Sequence, residues 1–357
     1  MISLIFKKFL YGSSILFGVL TIVFFLFKIL PADPARMMLD KREDAKQLEL
    51  INQKYGFDKP VLLQYLSYVN DVSFISIYSL NKESFISIYN KQIDYFNLFS
   101  TRSHILVAKL PDLGKSFIKQ EKSVISIIIS TFKNTFVLAI SSIIIAIFLG
   151  ILMGIFSAIN KDNIIDKSLL FFSAIGMSLP SFFSAILIAW FFGFVLHQYT
   201  NLSMIGSLFE IDDYGMGYHL NIKNLILPSI TLGVRPLSVI IQLSRNSLLD
   251  VLNMDYIRTA KAKGLKYSKV LFKHALRNSL NPVVTAVSGW FASLLSGAVF
   301  VEYVFGWNGL GKEIVNALNT LDLPVIMGSV LFISIVFIII NLLVDLIYIL
   351  LDPRIKT

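Results

Sequence analysis

The chain has 357 residues, 55% of them hydrophobic and 15% charged, against roughly 25% charged in an ordinary soluble domain. With a mean hydropathy of +0.71, that composition excludes a soluble globular protein and points to a polytopic membrane protein. The net charge of +9 then indicates basic loops on one side of a membrane rather than nucleic-acid binding, and the lack of cysteine excludes disulfides, zinc-thiolate sites and redox pairs.

A membrane span needs about 20 mostly apolar residues. Six stretches qualify: Phe9–Leu30, Phe136–Ile159, Leu169–Leu196, Leu225–Leu248, Val283–Val304 and Val325–Leu350. The first is interrupted only by Lys28. It is too long for a cleavable signal and ends in Pro31-Ala32-Asp33-Pro34, without a small-x-small site. Residues 1–30 therefore read as a retained anchor helix.

Residues 31–133 read as an external subdomain. Asp44–Tyr55 predicts a helix closed by Gly56, and Pro60–Val69 a second one, since proline suits a first helical turn. An internal repeat follows, with Ser73–Tyr78 recurring as Ser84–Tyr89 across a polar linker, 79–83. Its β-branched and aromatic residues predict a hairpin, read either as a decorative insertion or as a contact for a soluble partner.

The remainder, 134–351, reads as a five-helix core with a short tail, 352–357. Pro180 and Pro228 fall within or at the edge of their spans, and Pro236 lies inside the fourth. Each proline removes a backbone donor, which either curves the bundle or marks broken helices along a pathway. Arg235 lies near the middle of the same span, and a charge there is a functional-site hypothesis by default. It reads as lining for a substrate path, as half of a pair with Glu302 or Asp345, or as an arginine in a solvated cavity without direct substrate contact. Asp345 itself, nearer the inner interface, reads as a helix-end contact. Gly150 and Gly154 form a GxxxG pair, and Gly289, Ser293 and Gly297 recur every fourth residue. Such small faces serve packing within the bundle or, for the fifth span, a subunit interface.

Orientation follows from the short loops. With the N-terminus cytoplasmic, Lys7, Lys8, Lys161, Lys167, Arg245, Arg258, Lys261, Lys263, Lys266, Lys269, Lys273, Arg277, Arg354 and Lys356 lie inside, against Lys223 and Lys312 in the opposite short loops. Both termini are then cytoplasmic.

Seven of those basic residues lie between Arg258 and Arg277, within the loop 249–282. The loop reads as helix, glycine turn, helix, with Met254, Ile257 and Lys261 on one face and Gly264 ending the first helix in the left-handed region. Plain positive-inside charge, lipid headgroup binding, or a short helix in a partner's groove would each suit it.

Its spacing resembles the EAA loop of importer-type ABC permeases, which docks onto the ATP-binding subunit. That pattern is Glu-Ala-Ala, three residues, Gly, nine residues, Ile-x-Leu-Pro. Ala260, Gly264 and Leu276 match, while Arg258 and Thr259 replace Glu-Ala, His274 replaces Ile, and Arg277 replaces Pro. Tyr256 to Leu265 with His274 to Asn278 is similar to the peptide/nickel permease branch. So are Leu30-Pro31-Ala32-Asp33-Pro34-Ala35, Tyr55 to Pro60 with Gln64-Tyr65, Asp112 to Ser116, Phe305 to Gly311, and Asp345 with Asp352-Pro353-Arg354. The branch places Arg near Gln242, and residues 72–109 have no clear counterpart.

The resemblance implies an all-α integral membrane protein with the type I ABC importer permease fold, in a bacterial inner membrane. It implies a second homologous permease, two ATPases and an external solute-binding protein as partners, besides the lipid bilayer. Asp255, Tyr256, Arg258, Thr259, Ala260, Lys263, Gly264, Leu265 and Leu276 would meet the ATPase. Arg235, Pro236 and Pro180 are candidates for the translocation path. Peptides, peptide-like solutes or nickel chelates are the substrate classes it implies.

Two decoys suggest ATP binding by this chain itself. Gly306, Gly311 and Lys312 have Walker A spacing, but Glu313 stands where Ser or Thr must reach magnesium. Gly114-Lys115-Ser116 lacks the upstream glycine, Lys109 being there. ATP and magnesium are therefore expected on partner subunits, and no catalytic or metal site here; His104, His197, His219 and His274 are scattered over loops. A secondary transporter is the rival class, but it calls for inverted repeats and intramembrane carboxylates, neither of which is evident.

Overall fold

The computed structural model describes residues 2–29, 45–82, 84–91, 93–119, 122–211 and 217–351. The Leu30–Ala35 block and the 352–357 tail, with Arg354 and Lys356, lie outside them. The chain divides into two compact units, 1–130 with 314–335 and 131–313 with 336–357.

In the first unit, α1 (Ile2–Ile29) carries the apolar window Leu10–Lys28. Helix α2 (Ala45–Tyr55) stops at Gly56, whose φ of +69° suits glycine. Helix α3 (Val61–Val72) starts after Pro60. It packs on α1: Thr21 and Tyr65 hydroxyls are 2.7 Å apart, and the Phe24 ring meets Tyr65 edge-on at 5.4 Å. Lys28, the interruption in the first span, donates to Gln64 at 2.8 Å.

The expected hairpin does not form. Strand β1 (Ile75–Ser79) pairs antiparallel with β3 (His104–Lys109), which pairs with β2 (Tyr95–Ser100), giving the order β1-β3-β2. The second repeat copy contributes only an isolated bridge, Ser79 to Ser87, and the start of a 3-10 turn, Ile88–Asn90. The other edge of β1 is already taken, because Asn70 of α3 donates to the Ile77 carbonyl and accepts its N–H at 2.9 and 2.8 Å. Beneath the sheet, Asp71 accepts from the Tyr78 hydroxyl and from Lys91. Burial, then this carboxylate, pushes the Tyr78 hydroxyl well above its ordinary range.

Helix α4 (Val124–Ile159) has 36 residues, about 54 Å at 1.5 Å each and longer than a bilayer core. It is apolar on all sides, with Ile144, Phe148 and Phe156 exposed as lipid-facing residues would be. The expected third span is not one straight helix. Helix α5 (Ile164–Ser178) and the segment Ser181–Val195, comprising α6 (Ser181–Trp190) and a π turn (Phe191–Val195), bend by 113°. Pro180 lacks an N–H and forces Leu179 into the extended region, ψ 133°. A single turn, α7 (His197–Thr200), and the strand pair β4 (Phe209–Ile211) and β5 (Tyr218–Leu220) lead to α8 (Lys223–Leu252), which keeps both Pro228 and Pro236 inside it.

After the loop, the expected fifth span is split at Ala298 into α12 (Asn281–Gly297) and α13 (Val299–Val304). Then come α14 (Leu310–Thr320) and α15 (Leu323–Leu351). Among the described residues, four helices are long and apolar enough to cross a membrane, or five counting the bent pair as one. Six were expected; the breaks at Pro180 and Ala298 account for the difference. The core of the second unit gathers Leu138, Leu227, Leu294, Val301 and a fully buried Trp307.

Candidate functional site

The loop folds as a capped helix docked by one edge. Helix α9 (Asp255–Ala262) begins at an extended Met254, ψ 150°, whose carbonyl accepts the Ile257 and Arg258 N–H groups. Asp255 sits in the first turn, where a carboxylate suits the helix dipole. The end is a Schellman motif: Gly264 at φ +74° donates to Lys261 and Leu265 donates to Ala260. One turn (α10, Tyr267–Lys269), a π-helical stretch (Val270–Ala275) and α11 (Leu276–Ser279) complete the loop.

Ile257 and Ala260 are buried together with Ile155 and Ala158 of α4, Leu248 and Val251 of α8, and Val270 and Leu271. Leu265 and Leu276 pack at the margin of that cluster. The buried face is thus i, i+3 from Ile257. Met254 and Lys261, expected beside it, are exposed, because Met254 is the cap and Lys261 lies beyond the contact. Tyr256, Arg258, Thr259, Lys261 and Lys263 form an exposed ridge. Tyr256 accepts from Asn278 at 2.9 Å, and Arg258 meets Asp255 at 3.4 Å.

Before this loop lies a buried ion pair that no local sequence signal marks. Arg245, one of the cations counted to the inner face, lies inside α8 and forks onto Asp166 of α5. A carboxylate two residues into a helix and a cation 79 residues later share no sequence pattern. Gln242, where the resembled branch has Arg, donates to Ser173 of α5 at 3.1 Å.

Arg235 opens onto a cleft lined by Ser181 and Ser184 of α6, Thr231 of α8, and Trp290 and Ser293 of α12. Among the described residues it forms no ion pair. The carboxylate of Glu302, a suggested partner, instead accepts the Gly311 and Lys312 N–H groups at 2.7 and 3.2 Å and caps α14. Pro236 has no N–H, so the carbonyl of Leu232, also in the cleft wall, lacks its helical donor. Pro180 ends immediately before Ser181.

Gly150 and Gly154 lie against α8, where an added Cβ would stand 2.7 Å from Ile240 and 2.5 Å from Ser244. Gly289 and Gly297 meet nothing within 4 Å, and Ser293 is exposed. The Walker-like lysine closes its own turn: Lys312 donates to the Gly306 carbonyl and the Asn308 side chain at 2.9 and 3.0 Å. Ser116 of the other decoy is held by Asp322.

Residues 150–357 match the family described as binding-protein-dependent transport system inner membrane component, and residues 1–85 match its N-terminal region. The chain is 33% identical over 352 residues to the dipeptide transport system permease protein DppB of Bacillus subtilis, covering 98% of this chain and 96% of that one. It is 30% identical over 358 residues to the oligopeptide transport system permease protein AppB of the same organism, covering both chains fully. It is 32% identical over 356 residues to the glutathione transport system permease protein GsiC of Escherichia coli, covering 100% and 99%.

Proposed function

The chain belongs to the binding-protein-dependent transport system inner membrane components, multi-pass permease subunits of ABC transporters, and on that premise we propose that it imports peptides by ATP-driven alternating access. The relatives named for dipeptide, oligopeptide and glutathione transport support a substrate with a peptide backbone. The carrying observation is the loop helix, whose buried edge grips the ends of α4 and α8 while its basic ridge stays exposed.

In this reading the ridge from Asp255 to Leu265 docks on an ATPase subunit at the cytoplasmic face. Closure of two ATPases on ATP moves the helix, and Ile257 and Ala260 pass the displacement into α4 and α8. A second homologous permease completes the pathway, with the open Gly289, Ser293 and Gly297 face of α12 turned toward it. Arg235, Pro236 and the Pro180 bend line the route, and an external solute-binding protein delivers the substrate. This chain holds no ATP itself; the nucleotide and its magnesium belong to the partners. Both termini and the short basic loops lie inside.

Reconstitution of the complete transporter in proteoliposomes tests this. Peptide uptake should require the ATPases, ATP and the binding protein together. Uptake by the permeases without ATPases, following an ion gradient, would make the protein a secondary transporter.

A further inference from the structure

We propose that the Arg235 cleft is a transit site for the free C-terminal carboxylate of the peptide; this rests on the peptide-importer reading above. Arg235 is exposed, lies between a buried Pro236 and a half-buried Val234, and forms no ion pair among the described residues. Two acids of the same unit that could neutralise such a cation are engaged elsewhere. Glu302 caps α14, and Asp166 is held by Arg245. A cation left unpaired within a membrane helix calls for a counter-charge that arrives from outside the chain.

Depth favours a passing solute over a lipid headgroup. Arg235 is the thirteenth residue of a thirty-residue helix, roughly 18 Å from one end and 25 Å from the other. Headgroups lie at the edges of a core about 30 Å thick. The cleft also carries the groups that a carboxylate on a peptide backbone needs. The guanidinium offers a planar fork matched to two oxygens. Ser181, Ser184 and Ser293 bring hydroxyls from two helices, Trp290 forms an aromatic wall, and the Thr231 hydroxyl is already donated to the Leu227 carbonyl. Recognition of the terminus rather than the side chains lets one cleft pass peptides of many sequences. A single charged contact also releases its ligand readily once the helices move.

The chain contains no cysteine, so Arg235→Cys introduces a single thiol into it. The test uses the complete transporter in proteoliposomes, with the unaltered chain treated in parallel to account for thiols on the partners. Uptake of a free-acid tripeptide should fall about tenfold in the variant. Aminoethyl methanethiosulfonate, which restores a positive charge, should recover uptake, and the negatively charged sulfonatoethyl reagent should not. The free-acid tripeptide should slow modification of the thiol, and its C-terminal amide should not. Arg235→Lys, which keeps the charge and loses the fork, should give intermediate uptake, and it serves if the cysteine variant fails to assemble. Full uptake by the cysteine or lysine variant, equal effects of the two reagents, or equal protection by acid and amide would overturn the site while leaving the importer intact. Failure of the unaltered transporter to import any peptide would remove the importer reading, and the site with it.

Discussion

Arg245 grips Asp166 at two points, with Nε 2.7 Å from Oδ1 and Nη2 2.6 Å from Oδ2. The same carboxylate accepts the Ser157 hydroxyl and, at 2.9 Å, the Asp162 N–H. The end of α4, the turn before α5 and the last third of α8 therefore meet on one buried acid. Seven residues after Arg245, α8 ends and the chain enters the loop helix. The pair thus sits directly upstream of the segment that we assign to ATPase contact.

Removing one partner leaves the other charge buried and uncompensated. Side-chain exposures of 14% for Arg245 and 2% for Asp166 make this a costly loss, about 3–5 kcal/mol for Arg245→Ala. The thermal midpoint of the purified chain in detergent should drop accordingly. Adding Asp166→Ala to Arg245→Ala should cost much less than the two single losses together. Simple additivity in this double-mutant cycle would show that the residues do not act as a pair.

The loop helix was legible because its signals are local. Gly264 marks a left-handed stop, and three matched positions, Ala260, Gly264 and Leu276, fall in a spaced pattern. Arg245 was misread for the opposite reason. Its partner lies far along the chain, and the loop-charge count treats every cation near a span as solvent-facing. The third span illustrates a milder failure. Apolar length alone predicted one crossing, and Pro180 was noted, but a hydropathy pattern holds no information on a 113° bend. For the repeat, β propensity identified the first copy as a strand, whereas the pairing was decided by Asn70 occupying one edge and β3 the other.

The two faces of the loop helix should respond differently to substitution. Lys261 and Lys263 are exposed, so reversing both to Glu should leave the stability within about 0.5 kcal/mol of the parent. ATPase subunits should co-purify poorly with that variant. Ala260→Leu crowds a buried contact with the ends of α4 and α8 and should cost about 1–3 kcal/mol. It should also uncouple ATP hydrolysis from peptide uptake. ATPase capture equal to the parent in the double lysine reversal would remove the ridge from the interface.

Glu302 and Arg235 should be energetically independent. Glu302 is fully buried and serves the first turn of α14, beside the buried Trp307. Glu302→Gln keeps the shape and weakens the cap, so it should lower stability by about 1 kcal/mol. Combined with Arg235→Ala, the two effects on thermal stability should add to within about 0.5 kcal/mol. A larger coupling would mean that the two side chains sense each other after all.

The glycines divide by what stands opposite them. A Cβ at Gly154 would meet Ser244 Cβ at 2.5 Å and the Ile241 carbonyl at 2.9 Å, so the helices must part to admit it. Gly154→Val should therefore destabilise the isolated chain by about 1–3 kcal/mol, the usual range for overpacking, and reduce its folded yield. Gly289 and Gly297 face open space within the chain. A Cβ at either meets nothing in this subunit, and leucine there should leave its thermal midpoint close to the parent's. If that face meets the second permease, the bulk instead blocks the close approach that small residues allow between membrane helices. Co-purification of the two permeases should then fall for Gly289→Leu, with no fall for a leucine placed on the lipid-facing side of α4, such as Phe148→Leu. Unchanged pairing in the Gly289 variant would remove that face from the interface; Gly297 also lines the Arg235 cleft, so its leucine variant should lower uptake in either case.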